Sequence, residues 1–161
     1  MEIKKIAVIG AGAMGHGIAQ VAATAGFEVN LRDINEEFVA GGMEKIKWSL
    51  NKLVEKKRMA EDDAKKTLGR IKPMVPLEEA VKNVDYVIEA VPENLNLKRQ
   101  VFAEMDKHAP SHTILATNTS AILITEIAQA TKRPEKVVGM HFFNPAQLMR
   151  LVEVVMGEKT S

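Results

Sequence analysis

The chain has 161 residues, a length that suits one domain with a core of its own. Its formal net charge is +1, so charge gives no reason to expect a nucleic-acid or membrane-surface partner. The absence of cysteine excludes disulfides, thiolate metal ligands and cysteine nucleophiles, and we expect no metal site. No signal peptide or bilayer-crossing run is visible, and by default we predict a cytoplasmic protein.

The first predicted unit is a strand, a glycine-rich turn and a helix. An apolar strand over residues 6–9 leads into the run GAGAMG at 10–15, which has the pattern G-x-G-x-x-G, and a helical pattern follows. In such a unit Gly10 permits the tight turn, Gly12 lets the backbone approach a pyrophosphate, and Gly15 lets the helix pack close to the strand. The alternative is an ordinary turn with incidental glycines. The predicted cofactor contacts in this turn are Gly10, Gly12, Ala13, Met14 and Gly15.

The second predicted strand, residues 28–33, ends in an acid. Asp33 follows Gly15 by 18 residues, close to the spacing expected of an acid that binds ribose hydroxyls. A 2′-phosphate would meet this carboxylate, so the sequence favours NAD over NADP as the cofactor. Arg32 weakens that preference slightly, because a neighbouring arginine can hold the additional phosphate.

The rest of the chain alternates helices with strands, which predicts an α/β fold. We expect a Rossmann-type, doubly wound, mostly parallel sheet with a helical pair inserted after the second strand, in one domain over residues 1–161. The later strands are predicted at residues 71–75, 86–91, 113–117, 136–143 and 151–156. After the first helix, helices are predicted at 36–59, 61–68, 77–81 and 124–130, with another that has Leu97, Val101, Met105 and Ala109 on one side.

Two residues near the end of the chain are candidates for acid–base chemistry. His141 ends a predicted strand, at the sheet edge where open α/β sheets bind their ligands. Glu153 shares a strand face with Leu151 and Val155, and a carboxylate on an apolar face needs a partner. An imidazole held in one tautomer by Glu153 would suit a general base. The alternative is a core histidine with no role in catalysis.

Polar residues follow two other predicted strands and are expected at the same edge of the sheet. Ser120 comes after the strand at 113–117, and Glu93 and Lys98 come after the strand at 86–91. These side chains could contact a ligand. Alternatively, Ser120 caps a helix, and the other two belong to a polar turn and a solvated first helical turn.

The long predicted helix carries a polar stripe formed by Lys45, Ser49, Lys52 and Lys56, which fall at i, i+4, i+7 and i+11. A basic stripe could hold the anionic tail of a ligand. The same pattern is typical of the solvated face of an amphipathic helix, and periodicity alone favours this second interpretation.

Four stretches of the sequence resemble the 3-hydroxyacyl-CoA dehydrogenase family. They are residues 8–15, 89–95, 117–120, and 139–145 with 151–154, and the last of them is the most specific. The resemblance covers the whole chain. It implies an NAD-dependent oxidoreductase that interconverts (S)-3-hydroxyacyl-CoA and 3-oxoacyl-CoA, in fatty acid β-oxidation or short-chain acyl-CoA metabolism.

The resemblance also implies a role for each matching residue. His141 resembles the general base that takes the 3-hydroxyl proton while hydride leaves C3 for the nicotinamide. Glu153 resembles the acid that orients His141, and Ser120 resembles the group that hydrogen-bonds the substrate oxygen close to the nicotinamide. The implied cofactor contacts are Glu93, Lys98, Ser120 and Asn144, and the implied coenzyme A contacts are Ser49 and Lys56.

The chain departs from the family pattern in two respects. Family members carry a helical C-terminal domain that completes the acyl pocket, supplies an additional active-site asparagine and forms a homodimer, and residues 1–161 show no such domain. Gln147 and Leu148 also replace a segment that is usually richer in proline and valine. Two alternatives therefore remain open. One is a dehydrogenase of a free hydroxy acid or sugar acid, which would not need the basic stripe; the other is a non-catalytic NAD-binding module, which would not need the pair His141 and Glu153.

Overall fold

A computed structural model of the chain describes residues 1–161, which form seven strands and six α-helices. The strands, β1 to β7 in chain order, are Lys5–Ile9, Glu28–Arg32, Ile71–Met74, Tyr86–Glu89, Ile114–Thr117, Val137–Phe142 and Val152–Met156. The helices, α1 to α6, are Ala13–Thr24, Glu36–Glu55, Glu61–Gly69, Leu77–Val81, Leu95–His108 and Ile124–Ala128. A 3₁₀ turn, Pro134–Lys136, precedes β6.

The strands form one sheet in the order β3-β2-β1-β4-β5-β6-β7. The first six strands are mutually parallel, and β7 is antiparallel to β6 at one edge. This order confirms the predicted Rossmann-type sheet, and α2 with α3 is the helical pair predicted after the second strand. The chain changes direction across the sheet between β1 and β4, and ligands bind such sheets at that switch point, beyond the carboxyl ends of the strands.

Both faces of the central strands β1, β4 and β5 are buried, which explains why these strands are almost continuously apolar. Alternate residues of β1 enter different clusters: Ile6 and Val8 pack on the face covered by α1, whereas Ala7 and Ile9 pack on the opposite face with Phe102 of α5. The sheet is thus a rigid support for the loops at its carboxyl edge. None of the helices has both the length and the apolar character that a bilayer crossing requires.

Several predicted boundaries move by a few residues. The helix predicted at 36–59 ends at Glu55, because Lys57 adopts a left-handed backbone conformation with φ of 55° that ends the helix. The strand predicted at 86–91 ends at Glu89. Beyond that residue the Val91 N–H donates to the Glu89 side chain, at 2.8 Å, and not to the backbone of a neighbouring strand. The short helix predicted at 77–81 has the bounds Leu77–Val81, as expected.

Candidate cofactor and catalytic site

Two adjoining cavities lie at the carboxyl edge of the sheet, over the switch point. The larger has a volume of about 800 Å³ and the smaller about 300 Å³. Met14, Ala90 and Val91 line both cavities, so these residues form their common wall. Of the predicted site residues, the larger cavity is lined by Gly10, Gly12, Ala13, Met14 and Asp33, and the smaller by Met14, Glu93, Lys98, Ser120, His141 and Asn144.

The glycine-rich turn has the geometry of a phosphate cradle. Gly10 has a φ of 109°, and a Cβ there would lie 2.6 Å from the Ala90 carbonyl oxygen. A Cβ on Gly15 would lie 1.7 Å from the Gly10 carbonyl oxygen, so this glycine allows α1 to approach the turn; Gly15 lines neither cavity. A Cβ on Gly12 would meet nothing within 4 Å. The backbone is therefore open at Gly12, and the N–H groups of the first turn of α1 have no partners within the helix, so the residues present fit a dinucleotide pyrophosphate.

Asp33 lies at the end of β2 and is held by two backbone donors. Its Oδ2 accepts from Ala11 N at 2.8 Å and its Oδ1 from Ile34 N at 2.7 Å. A carboxylate has acceptor sites beyond these two, and the side chain lines the larger cavity. Arg32 lines the same cavity and donates through Nε to the Val75 carbonyl oxygen at 2.8 Å. Burial lowers the pKa of Arg32, and the charge of Asp33 acts in the opposite direction.

Glu93 joins the loop after β4 to the loop after β5. Its carboxylate accepts from Thr119 Oγ1 at 2.6 Å, from Ser120 N at 2.9 Å and from Ser120 Oγ at 3.1 Å. Burial is the largest influence on the pKa of Glu93 and raises it. The hydrogen bonds from Thr119 and Ser120 and the charge of Lys98, 3.7 Å away, together outweigh burial, and the pKa lies below its usual value. Glu93 is therefore a fixed anion at the rim of the smaller cavity.

Lys98 is buried, contrary to the interpretation of a solvated first helical turn. Only 2% of the residue is exposed, although it lines the smaller cavity. Its Nζ lies 2.7 Å from Oε2 of Glu89, which is fully buried at the end of β4. The sequence analysis assigns no role to Glu89 or Thr117; the signal that the sequence offers is a carboxylate that ends an apolar strand nine residues before a lysine.

His141 stands near the end of β6, half-buried, and lines the smaller cavity together with Ser120 and Asn144. Its ring packs edge-on against Phe143, with centroids 4.7 Å apart. The Asn118 Oδ1 accepts from Phe142 N at 2.8 Å, which ties the end of β5 to the end of β6. The structure thus brings His141 and Ser120 to one cavity from two neighbouring strands.

Glu153 lies directly opposite His141 in the antiparallel pairing of β6 with β7. Glu153 shares a face with Leu151 and Val155, but that face is not buried, so the argument that its carboxylate needs a partner does not hold. Glu153 is exposed, as are Leu151 and Val155 on the same face, because β7 is the edge strand of the sheet. The histidine–carboxylate contacts in the structure involve His108 and His112, and Glu153 lines neither cavity.

The polar stripe on α2 is only partly a solvated face. Ser49 is buried, which does not fit that interpretation, whereas Lys56 is exposed and follows the last residue of the helix. Neither residue lines either of these two cavities, although Lys45 lines the larger one. Lys52 lies over the exposed ring of Trp48, at 5.6 Å. The structure therefore does not bring Ser49 or Lys56 to the other site residues.

The sheet order, the glycine-rich turn and the acid after β2 define a dinucleotide-binding domain of the Rossmann type. Residues 5–161 match the family model described as "3-hydroxyacyl-CoA dehydrogenase, NAD binding domain". The chain belongs to this family, and NAD is the cofactor of the family, as predicted.

The relatives found by sequence and by structure agree with this assignment. The chain is 49% identical over 161 residues to a probable 3-hydroxybutyryl-CoA dehydrogenase of Bacillus subtilis, covering 100% of the chain and 56% of the relative. It is 49% identical to a fatty acid oxidation complex subunit alpha of Acinetobacter baumannii, covering 99% of the chain and 22% of that protein. The crystal structure of a 3-hydroxybutyryl-CoA dehydrogenase from Escherichia coli superposes with a TM-score of 0.97 at 43% identity, covering 100% of the chain and 34% of that structure. The chain thus spans about half the length of the Bacillus relative and less of the other two.

Proposed function

We propose that the chain is the NAD-binding and catalytic-base domain, over residues 1–161, of an enzyme that interconverts (S)-3-hydroxyacyl-CoA and 3-oxoacyl-CoA. One observation carries the proposal: His141 and Ser120 share the smaller cavity, which adjoins the cavity built from the glycine-rich turn and Asp33. A histidine beside a dinucleotide site is placed to move the proton that accompanies a hydride transfer. A domain that only binds NAD would not need it.

The chemistry divides between the cofactor and the chain. NAD, when bound, supplies the acceptor for the hydride that leaves C3 of the substrate. His141 accepts the proton of the 3-hydroxyl group and returns it in the reverse direction. Ser120 hydrogen-bonds the substrate oxygen. In this structure its hydroxyl donates to Glu93, and the Ser120 N–H bond to the same carboxylate would keep the residue in place if the hydroxyl turned to the substrate.

The remaining site residues bind or orient. Glu93, Lys98 and Asn144 contact the nicotinamide half of the cofactor, which their position on the smaller cavity supports. Glu153 orients His141 from the opposite strand, and their direct register across β6 and β7 supports that role. Ser49 and Lys56 contact coenzyme A, a role that rests on the family resemblance. A homodimer formed through a C-terminal helical domain likewise rests on the resemblance, whereas a cytoplasmic location is only the default expectation. Light scattering of the longest natural protein that contains the chain tests the first, and cell fractionation tests the second.

The first test combines binding with turnover. NADH fluorescence is titrated with the chain, and NADH oxidation is followed with acetoacetyl-CoA and with acetoacetate, both for the chain and for the longest natural protein that contains it. We expect NADH to bind to both proteins, and acetoacetyl-CoA to be reduced by the longer one. His141→Ala should lower kcat/KM by about 10²–10⁴-fold, as the loss of a general base does, and leave NADH binding intact. His112→Ala is the matched control, because His112 pairs with Asp85 at the amino ends of the strands, away from the two cavities.

Each outcome separates the candidate functions. Turnover of acetoacetate as fast as of its thioester would favour a dehydrogenase of free acids. NADH binding without any turnover in the longer protein would favour a cofactor-binding module. Survival of full turnover in the His141→Ala protein would show that the base lies elsewhere.

A further inference from the structure

A buried ion pair lies beneath the common wall of the two cavities. Glu89, at the end of β4, is fully buried, and Lys98, in the first turn of α5, is 2% exposed. Their charged atoms are 2.7 Å apart. Burying two charges is costly unless every polar atom is satisfied, and a buried pair adds little stability over apolar residues of similar size. The presence of this pair therefore calls for a role other than stability.

The carboxylate of Glu89 has all its ligands within the protein. Its Oε1 accepts from Thr117 Oγ1 at 2.7 Å, and its Oε2 accepts from Lys98 Nζ at 2.7 Å and from Val91 N at 2.8 Å. Glu89 lines neither cavity. It acts on the site only through the groups that it holds.

One of those groups is Val91, which lines both cavities. Glu89 accepts from its N–H, and the Lys98 ammonium donates to its carbonyl oxygen at 3.1 Å. The backbone N–H and C=O of Val91 are thus both fixed by the same ion pair. The pair sets the position of the wall over which a dinucleotide must pass between the cavities.

The other group is the ammonium of Lys98, which has three N–H donors. Two of them are used, by Glu89 Oε2 and by the Val91 carbonyl oxygen. A further acceptor, Glu93 Oε1, lies 3.7 Å away, beyond hydrogen-bond distance. Because Lys98 lines the smaller cavity, its third donor is available to an acceptor oxygen of a ligand there.

We propose that Glu89 is a positioning residue for the nicotinamide half of the cofactor: it directs the remaining donor of Lys98 into the smaller cavity and fixes Val91 between the cavities. The inference rests on NAD binding in this cleft, as in the proposed function. It does not require that the chain catalyse a reaction. Glu89 contacts no part of the cofactor itself.

The test compares a ligand that spans both cavities with one that occupies only the larger. NADH and AMP are titrated against the parent chain and against Glu89→Gln, which keeps the shape of the side chain and removes its charge. We expect the NADH dissociation constant to rise at least about tenfold, as for the loss of a charge-assisted hydrogen bond, while that of AMP changes less than about twofold. Glu89→Asp keeps the charge but shortens the side chain, and we expect it to raise the NADH constant in the same sense. If Glu89→Gln does not fold, Glu89→Asp is used in its place.

Thr117→Val is the matched control for a merely structural role. It removes a hydrogen bond to the same carboxylate at 2.7 Å and a longer one from the Thr119 N–H at 3.3 Å, but leaves the contacts of Glu89 with Lys98 and Val91. We expect a lower urea midpoint and an unchanged ratio of the NADH and AMP constants. The double variant Glu89→Gln/Lys98→Met should regain the stability lost by Glu89→Gln and still bind NADH weakly, because the donor is gone.

Two results would overturn the inference. The first is a folded Glu89 variant whose NADH and AMP constants stay in the parent ratio; the second is a Thr117→Val protein that shifts this ratio as much as Glu89→Gln does. If either result is obtained while the parent chain binds NADH, the inference about Glu89 fails but the proposed function does not. A parent chain that does not bind NADH overturns both.

Discussion

His141 and Glu153 face each other directly across the antiparallel pair β6–β7, yet no hydrogen bond joins their side chains in this structure. Opposed residues of an antiparallel pair place their Cβ atoms about 4.5–5.5 Å apart, on the same face of the sheet. Glu153 is exposed, whereas His141 is half-buried at the smaller cavity. The carboxylate thus lies within reach of the imidazole but is free to turn to water.

This relationship predicts that Glu153 affects turnover and leaves stability unchanged. Glu153→Gln, in the longest natural protein that contains the chain, should lower kcat about tenfold, as for one hydrogen bond to a charged partner. In the 161-residue chain the free energy of unfolding should change by less than about 0.5 kcal/mol, because the Glu153 side chain is exposed there. Steady-state kinetics and urea unfolding measure the two effects. Glu158→Gln, an exposed carboxylate just beyond β7, should change neither, and an unaltered kcat in Glu153→Gln would mean that the two residues do not pair during the reaction.

The second and third glycines of the turn, Gly12 and Gly15, give a matched pair of alanine substitutions. A Cβ at Gly15 would lie 1.7 Å from the Gly10 carbonyl oxygen, so Gly15→Ala should destabilise the fold by more than about 3 kcal/mol. At Gly12 the φ is −75° and a Cβ meets nothing within 4 Å, so Gly12→Ala should fold normally. Its methyl group would occupy the space where the pyrophosphate approaches, and NADH affinity should fall. Urea midpoints measure the effect on stability, and NADH titrations measure the effect on binding. Normal NADH affinity in Gly12→Ala would show that the pyrophosphate does not bind against Gly12.

The features that local sequence determines could be predicted. The strand, turn and helix around residues 10–15 follow from glycine geometry and apolar periodicity, and Leu77–Val81 forms the predicted helix. The alternation of helices with strands predicts a mostly parallel sheet, and the observed strand order is that of the predicted Rossmann-type class. These signals are contained within a few turns or strands of the chain, so they do not depend on how distant elements pack.

The features that depend on packing between distant elements could not be predicted. Lys98 is buried because Glu89 ends the strand beneath it, and Thr117 on the neighbouring strand completes that carboxylate's hydrogen bonds. Ser49 has the periodicity of an exposed stripe but is buried against the body of the domain. Glu153 has the alternation of a half-buried strand but lies on the edge strand, where both faces are largely exposed. In each case the exposure of the side chain depends on which elements pack against it, and the local sequence does not contain that information.

Asp33 and Arg32 predict how the cofactor preference can be changed. Asp33→Ser removes the carboxylate that would bind the ribose hydroxyls and repel a 2′-phosphate, while Arg32 stays on the same cavity. NADH affinity should fall about tenfold, as for lost hydrogen bonds to a charged group, and NADPH affinity should rise. Adding Arg32→Gln should cancel the gain in NADPH affinity if the guanidinium holds the phosphate. Fluorescence titration of both cofactors measures the ratio, and a ratio that Asp33→Ser leaves unchanged would contradict the assignment of Asp33.

The hydrogen bonds of Glu93 predict an acid-dependent loss of stability. A carboxylate whose pKa is lower in the folded chain than in the unfolded chain stabilises the fold above the unfolded value, about 4.3 for glutamate, and loses that contribution as the pH falls through the folded value. Glu93→Gln should therefore be less stable than the parent at pH 7, and the difference should shrink as the pH falls below about 4. The difference at pH 7 should stay below about 1 kcal/mol, because the Glu93 side chain is 41% exposed and solvent screens its charge. Urea unfolding across this pH range provides the measurement. Ser120→Ala removes one donor and keeps the carboxylate, so its pH dependence should lie between the other two, and a Glu93→Gln protein that loses stability in acid as steeply as the parent would contradict the prediction.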